Sequence, residues 1–195
     1  MNLAAHLPEL ALATALAWGS GLRAYAVVFA VGLAGALGWI ELPGHLEVLR
    51  HPVVLAASGL MTCIELFADK LPWLDSVWDA VHSFIRIPAG AALAAAVFGD
   101  SDTAVMAAAA ILGGTLTAAV HTAKAGTRAM LNTSPEPFTN WAASLTEDAL
   151  VPVGLWAALT HPIAFFAFLV LFLLGALLVL RVIWRGLGVL AHRLL

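Results

Sequence analysis

The stretch IAFFAFLVLFLLGALLVL, Ile163–Leu180, decides the fold class. It runs for eighteen residues without a charge, and only Gly175 interrupts its large apolar groups. A helix needs about 20 apolar residues to cross the hydrocarbon core of a bilayer, so this stretch reads as a membrane span. The rest of the chain agrees with it. Of 195 residues, 62% are hydrophobic and 11% charged. A soluble domain carries about 45–50% apolar and about 25% charged residues, and a chain this short cannot hide such a surplus inside a water-soluble fold. The composition excludes a soluble enzyme, a nucleic-acid binder and a disordered protein. A net charge of −3 with no basic run leaves no electrostatic footprint for nucleic acid. The single cysteine, Cys63, excludes an intramolecular disulfide and a Cys-based zinc or iron–sulfur site. Residues Met1–Gly21 carry Glu9 and no Lys or Arg ahead of their apolar run, which makes a poor signal peptide, so they count as part of the mature fold.

Working outward from Ile163–Leu180, six further segments read as spans: Leu22–Ile40, Pro52–Lys70, Val77–Phe98, Thr103–Ala123, Asn140–Thr160 and the short Ala4–Gly19, which is marginal alone. Val77–Phe98 carries Asp79, His82, Arg86 and a kink expected at Pro88. The expectation is a single all-α domain over residues 1–195, a polytopic integral membrane bundle of about seven transmembrane helices. Lys and Arg gather at cytoplasmic ends. With the C-terminus inside and the N-terminus outside, seven spans put eight of the nine basic residues on the cytoplasmic side, all but Arg50. That orientation fits a multi-pass protein of the inner membrane. Two short matches permit an internal repeat. Gly21-Leu-Arg23-Ala24 is matched by Gly126-Thr-Arg128-Ala129, and His51-Pro52 by His161-Pro162. Units 1–70 and 103–185 would then be parallel copies joined by a linker helix, 77–98, in a 3+1+3 plan of the kind found in transporters.

Ionisable groups at membrane depth are costly and mark either function or a structural pair. Here they gather towards one side. Asp75, Asp79, His82 and Arg86 follow a spacing of i, i+4, i+7, i+11, one polar stripe on a helix. Glu65 and Asp69 share a face one turn apart, followed by Lys70. A second cluster holds Lys124, Arg128, Asn132 and Glu136, with Glu136 between Pro135 and Pro137, so that irregular backbone is expected there. Glu147 and Asp148 follow. Adjacent residues point about 100° apart on a helix, so only one of these two is expected to face a given partner. Gly19-Ser20-Gly21 reads either as a broken helix beside Arg23 or as a tight turn between spans.

Three roles compete for these charges. They can form a transport site for a small ion or polar solute. Asp75, Asp79 and His82 can offer oxygen and nitrogen ligands to a metal from one helix face. Or the acids and bases pair internally, as their near-balance suggests. The candidate substrate- or ion-binding set is Arg23, Glu65, Asp69, Lys70, Asp75, Asp79, His82, Arg86, Lys124, Arg128, Asn132, Glu136, Glu147 and Asp148. No triad, His-Glu-x-x-His motif or phosphate-binding glycine loop is present, so an enzyme is not expected, and neither is a cofactor.

The motifs GSGLRAY (Gly19–Tyr25), ADKLPWLDSVWDAVHSFIRIPAGA (Ala68–Ala91), KAGTRAMLNTSPEPFTNW (Lys124–Trp141) and the pair Glu147-Asp148 resemble the bacterial membrane family called domain of unknown function 4126. The resemblance covers nearly the whole chain and implies a multi-span inner-membrane protein, without supplying an activity. The functional expectation is a transporter or channel for a small ion or polar solute. The alternative is a non-transporting scaffold that binds lipid or a partner and keeps its ion pairs for structure. The lipid bilayer and a small solute are the expected partners, and the chain can assemble as a homo-oligomer.

Overall fold

The computed structural model describes residues 6–132 and 138–194. Among them are six α-helices, one 3₁₀ helix and no strand. In chain order these are α1 (Leu7–Ala36), the 3₁₀ helix Gly44–Arg50, α2 (Pro52–Ala68), α3 (Pro72–Val97), α4 (Thr103–Leu131), α5 (Phe138–Thr160) and α6 (Pro162–Leu194). Their starts follow from local chemistry. Proline opens α2, α3 and α6, where its missing N–H removes only a donor that has no helical partner. His51 caps α2 by accepting from the Val53 N–H at 3.3 Å. Asp102 caps α4 through the Ala104 N–H at 2.7 Å. Helix α3 runs on through Pro88.

Helix α1 is the hub of the bundle, and it is broken. Arg23 has φ −149° and ψ 81°, far from helical values. A Cβ on Gly19 would lie 2.7 Å from a methyl of Val27, whereas eight residues of straight helix would separate those positions by about 12 Å. The chain therefore doubles back at Arg23. The contacts on either side confirm the reversal. The first limb keeps pace with α4 in the same direction: the Thr117 hydroxyl donates to the Ala17 carbonyl at 2.8 Å, Gly21 seats against Val120, and the Lys124 ammonium donates to the Leu22 carbonyl at 3.0 Å. The second limb runs against α2, with Gly59 on Phe29 and Gly32 on Leu49 and Leu55. The two readings of Gly19-Ser20-Gly21 merge: the helix breaks just beyond them, at Arg23, and the break also reverses the chain, as a turn between spans would. The helix continues through Leu22, and Arg23 alone leaves it.

Small residues let these helices approach, as they do where lipid removes the hydrophobic drive between helices. Gly90 of α3 lies against Thr117 of α4, and Gly113 against Ala94. Gly154 of α5 leaves room for the indole of Trp18. That ring meets Phe165, Phe168 and Phe172 of α6 edge-on, with centroids 5.4–6.1 Å apart, the arrangement favoured by aromatic quadrupoles.

The bundle is that of a multi-pass membrane protein. Four helical stretches are long and apolar enough to cross a bilayer: Leu7–Ala36, Leu74–Val97, Thr103–Leu131 and Pro162–Val182. A fifth is added if the 3₁₀ helix and α2, bent by 73°, count as one span. Length and composition thus give four or five candidate spans, against seven read from the sequence. The expected spans Ala4–Gly19 and Leu22–Ile40 fall on the two limbs of α1, which double back at Arg23 and count here as one helix. The expected span Pro52–Lys70 becomes a 17-residue helix. Helix α5 is diluted by Asn140, Glu147 and Asp148.

Candidate functional site

The doubling back of α1 puts Arg23 at the centre of a buried charged cluster that draws on five helices. Arg23 is 1% exposed. Its guanidinium lies 2.8 Å from Asp69 through Nη1 and 2.6 Å from Asp148 through Nε. Nη2 donates to the Ser144 hydroxyl at 3.0 Å and stands 3.9 Å from Glu147. One arginine fork thus ties α2 to α5. A lysine could not do the same, since it presents a point charge rather than a planar set of donors.

Lys124, also buried, enters from α4. Its Nζ donates to the Leu22 carbonyl, which the break at Arg23 leaves available. The same ammonium lies 3.2 Å from Glu147, 3.3 Å from Asp69 and 3.6 Å from Asp79. One turn on, Arg128 pairs with both oxygens of Glu147 at 3.1 Å and donates to the side-chain and backbone oxygens of Asn140 at 2.6 and 3.0 Å. The Asn140 amide in turn donates to the Asp69 carbonyl at 3.0 Å, which closes the end of α2 over α5.

Arg86 of α3 forms the other half of the cluster. It pairs with the buried Glu65 of α2 and, at 2.5 Å, with Asp79 one face along its own helix. Its Nη1 also reaches His121 Nδ1 at 3.2 Å. An arginine only donates, so Nδ1 accepts and the Nε2–H of His121 donates to the Ser83 hydroxyl at 2.6 Å. Ser83 then donates to the Asp79 carbonyl at 2.8 Å. The tautomer of His121 follows from its neighbours.

Ten of the fourteen sequence candidates meet in this cluster: Arg23, Glu65, Asp69, Asp75, Asp79, Arg86, Lys124, Arg128, Glu147 and Asp148. Asn132 stands at its edge, donating to Asp75 at 3.3 Å and to Ser76 at 2.9 Å. Lys70 turns away, its ammonium donating to the Leu66 carbonyl at 2.7 Å. Glu136 lies outside the described residues. His82 is buried but does not join the carboxylates of its stripe. Its ring stacks on Trp78 at 3.9 Å, meets Tyr25 edge-on and donates from Nδ1 to the Trp78 carbonyl at 2.8 Å. Among the described residues the group able to hold a metal is Asp69, Asp75 and Asp79, so Asp69, at the end of α2, stands where the single-helix reading put His82. The expectation that only one of Glu147 and Asp148 would face a given partner also gives way. Arg23 is wide enough to meet Asp148 with Nε and approach Glu147 with Nη2.

Ser144 and Ser83 belong to the site and were not among the candidates. Each carried a signal: Ser144 lies one turn before Asp148, and Ser83 one turn after Asp79. The cluster is reached from outside at Glu147 and Asp148, whose side chains are 13% and 22% exposed while Asp69 is fully buried. A separate 440 Å³ cavity lies at the opposite end, between the start of α1, the end of α3 and the start of α4, lined mainly by apolar groups such as Leu10, Phe98, Val105 and Leu116.

The family model described as a domain of unknown function, DUF4126, matches residues 10–182. No curated protein matches the chain, and no solved structure does.

Proposed function

We infer that this chain, which belongs to the DUF4126 family, conducts a small ion or polar solute across the membrane through the charged cluster around Arg23. The observation that carries the reading is the break in α1. Non-helical backbone at membrane depth is tolerated where it is held in protein or lines a watery cavity, and broken helices at binding sites are a recurring plan of transporters. Here the break frees the Leu22 carbonyl for Lys124 and lies among six carboxylates and four cations. Buried charge of that density is expensive and is kept where it works. In this reading the solute enters past Glu147 and Asp148, the exposed edge of the cluster, and Arg23, Arg86 and Arg128 gate it by exchanging carboxylate partners.

The finer topology belongs to the same proposal. The two limbs of α1 run in opposite directions, so that each helix beyond the 3₁₀ segment alternates in sense. Seven passages then put the cluster on the cytoplasmic side of the inner membrane, the N-terminus outside and the C-terminus inside. The parallel repeat fits this plan: Arg23 and Arg128 of the matching G-x-R-A motifs both approach Glu147, and both His-Pro pairs open helices. The activity is transport and not catalysis.

A scaffold reading has one observation in its favour. Arg128 is matched on two sides by Glu147 and Asn140, as a purely structural residue would be. Exchanging the charges of one pair separates the two. The double variant Asp79→Arg with Arg86→Asp retains opposite charges. Transport requires that this variant fold yet lose solute flux in liposomes. A variant that folds and leaves every cellular phenotype and flux unchanged supports the scaffold.

A further inference from the structure

We propose that Asp69, Asp75 and Asp79 hold a divalent cation of about the size of calcium, and that this cation is the occupant of the site; the inference rests on the transport reading for what the ion is there to do. Three observations carry it. First, the three carboxylates come from two helices yet converge: all are buried, and one oxygen of each lies within 4.8 Å of the others. Second, each keeps a buried oxygen without a hydrogen-bond partner: Asp69 Oδ1, Asp75 Oδ1 and Asp79 Oδ2. Asp75 is the sharpest case. It is 0% exposed, Asn132 donates to its other oxygen at 3.3 Å, and no Lys or Arg among the described residues forms an ion pair with it. A buried ionised carboxylate without a counter-ion is strongly unfavourable. Third, the charges of the cluster do not balance. Arg86 answers Glu65, Arg23 answers Asp148 and Arg128 answers Glu147. Asp69 and Asp79 share Arg23, Arg86 and Lys124 with those acids, and Asp75 has none of these cations in an ion pair. With Lys70 turned to the Leu66 carbonyl, six carboxylates stand against four cations, and the two negative charges in excess are the complement of one divalent ion.

Geometry and ligand type choose the ion. Oxygen-only carboxylate ligation suits hard cations, not zinc or copper. An ion equidistant from three oxygens that lie within 4.8 Å of one another is at most about 2.8 Å from each. That ceiling admits the ~2.3–2.6 Å of calcium–oxygen bonds, and carboxylates held by two separate helices suit calcium's flexible coordination better than the strict octahedron at ~2.0–2.1 Å that magnesium demands. Lys124 pairs with Asp69 and Asp79, and the Asp75 oxygen without a hydrogen-bond partner is left to the ion.

The test uses the full-length purified protein in detergent. Calcium chloride is titrated while thermal unfolding is followed, with magnesium chloride and sodium chloride at matched ionic strength as comparisons. Ligand binding to the folded state raises the apparent melting temperature by mass action. The expected result is a saturable rise with calcium, a weaker one with magnesium and none with sodium. Equilibrium dialysis with radioactive calcium should count one ion per chain. In Asp75→Asn, which breaks no ion pair, the calcium affinity should fall by more than about tenfold, since even outer partners of a metal site are worth about 10–100-fold; Glu41→Gln, far from the site, should bind like the wild type. The proposal is overturned if wild type shows no calcium-dependent shift and no bound calcium, as expected if protons alone neutralise the cluster, or if a folded Asp75→Asn binds calcium like wild type. Should Asp75→Asn fail to fold, the stoichiometry in the wild-type protein decides. Calcium binding without flux in liposomes would retain the site and end the transport reading; flux without calcium binding would do the reverse.

Discussion

The pair Glu65–Arg86 offers the sharpest quantitative prediction. Both side chains are fully buried, so neither can replace its partner with water. Their roles are unequal. Glu65 has one ionic partner, Arg86, whereas Arg86 also answers Asp79 and hydrogen-bonds His121. Removing one member of a buried pair costs about 3–5 kcal/mol, because it leaves the other charge uncompensated. Glu65→Gln leaves Arg86 still paired with Asp79, so its cost belongs near 3 kcal/mol on that scale. Arg86→Met strands Glu65 entirely and leaves Asp79 only the 3.6 Å contact with Lys124, so its cost belongs near 5 kcal/mol. The double variant removes both the arginine and the charge it would strand. It should therefore be no less stable than Arg86→Met alone, with a coupling near the upper end of the ~0.5–3 kcal/mol seen for contacting residues. Reversible unfolding of the purified protein in mixed detergent measures all three. Additive costs, or Glu65→Gln costing as much as Arg86→Met, would refute the geometry assigned to the pair.

Other substitutions probe other parts of the fold. Gly154→Leu drives a side chain into the ring of Trp18 and should lower stability by about 1–3 kcal/mol, the range for overpacking; an unchanged melting temperature would contradict the Trp18 pocket. Arg23→Lys retains the charge but cannot span Asp69, Ser144 and Asp148 at once, so it should be destabilised by about 1–3 kcal/mol, and a melt like that of the wild type would sink the account of the fork. Orientation is tested by single cysteines in a Cys63→Ala background. Trp39→Cys and Trp184→Cys lie at exposed positions; an impermeant maleimide should label the first in intact cells and the second only in inverted vesicles, and the opposite pattern would reverse the proposed topology.

Much of the site could be read from the sequence because charge in an apolar chain is conspicuous. Asp75, Asp79 and Arg86 are prominent in α3 for that reason, and their spacing put Asp79 and Arg86 on one face, where they pair. What periodicity could not supply was which other helix would face them. Asp69 joins Asp75 and Asp79 only because the short turn between α2 and α3 returns the end of one helix beside the start of the next. His82 leaves the stripe because Trp78, one turn earlier, offers both a ring to stack on and a carbonyl to accept its proton. The break at Arg23 was half visible. Gly19 and Gly21 announced an interruption, but the residue that leaves the helix is the arginine two positions later. Its side chain is fixed from three directions, and this over-determination holds a backbone conformation no propensity would choose. The place of Ser144 one turn before Asp148 is a weak signal, and its role emerges only with the Arg23 guanidinium that donates to it.

The most direct test of the central claim is uptake into liposomes reconstituted with the purified protein. Divalent cations, monovalent cations, inorganic anions and small metabolites are offered in turn, for wild type, Asp79→Asn and Glu147→Gln. The account predicts saturable uptake of one class by wild type, above that of empty liposomes, and its loss in both variants while they remain folded. Folded wild type that carries nothing faster than empty liposomes, or folded variants that carry the solute as wild type does, would contradict it.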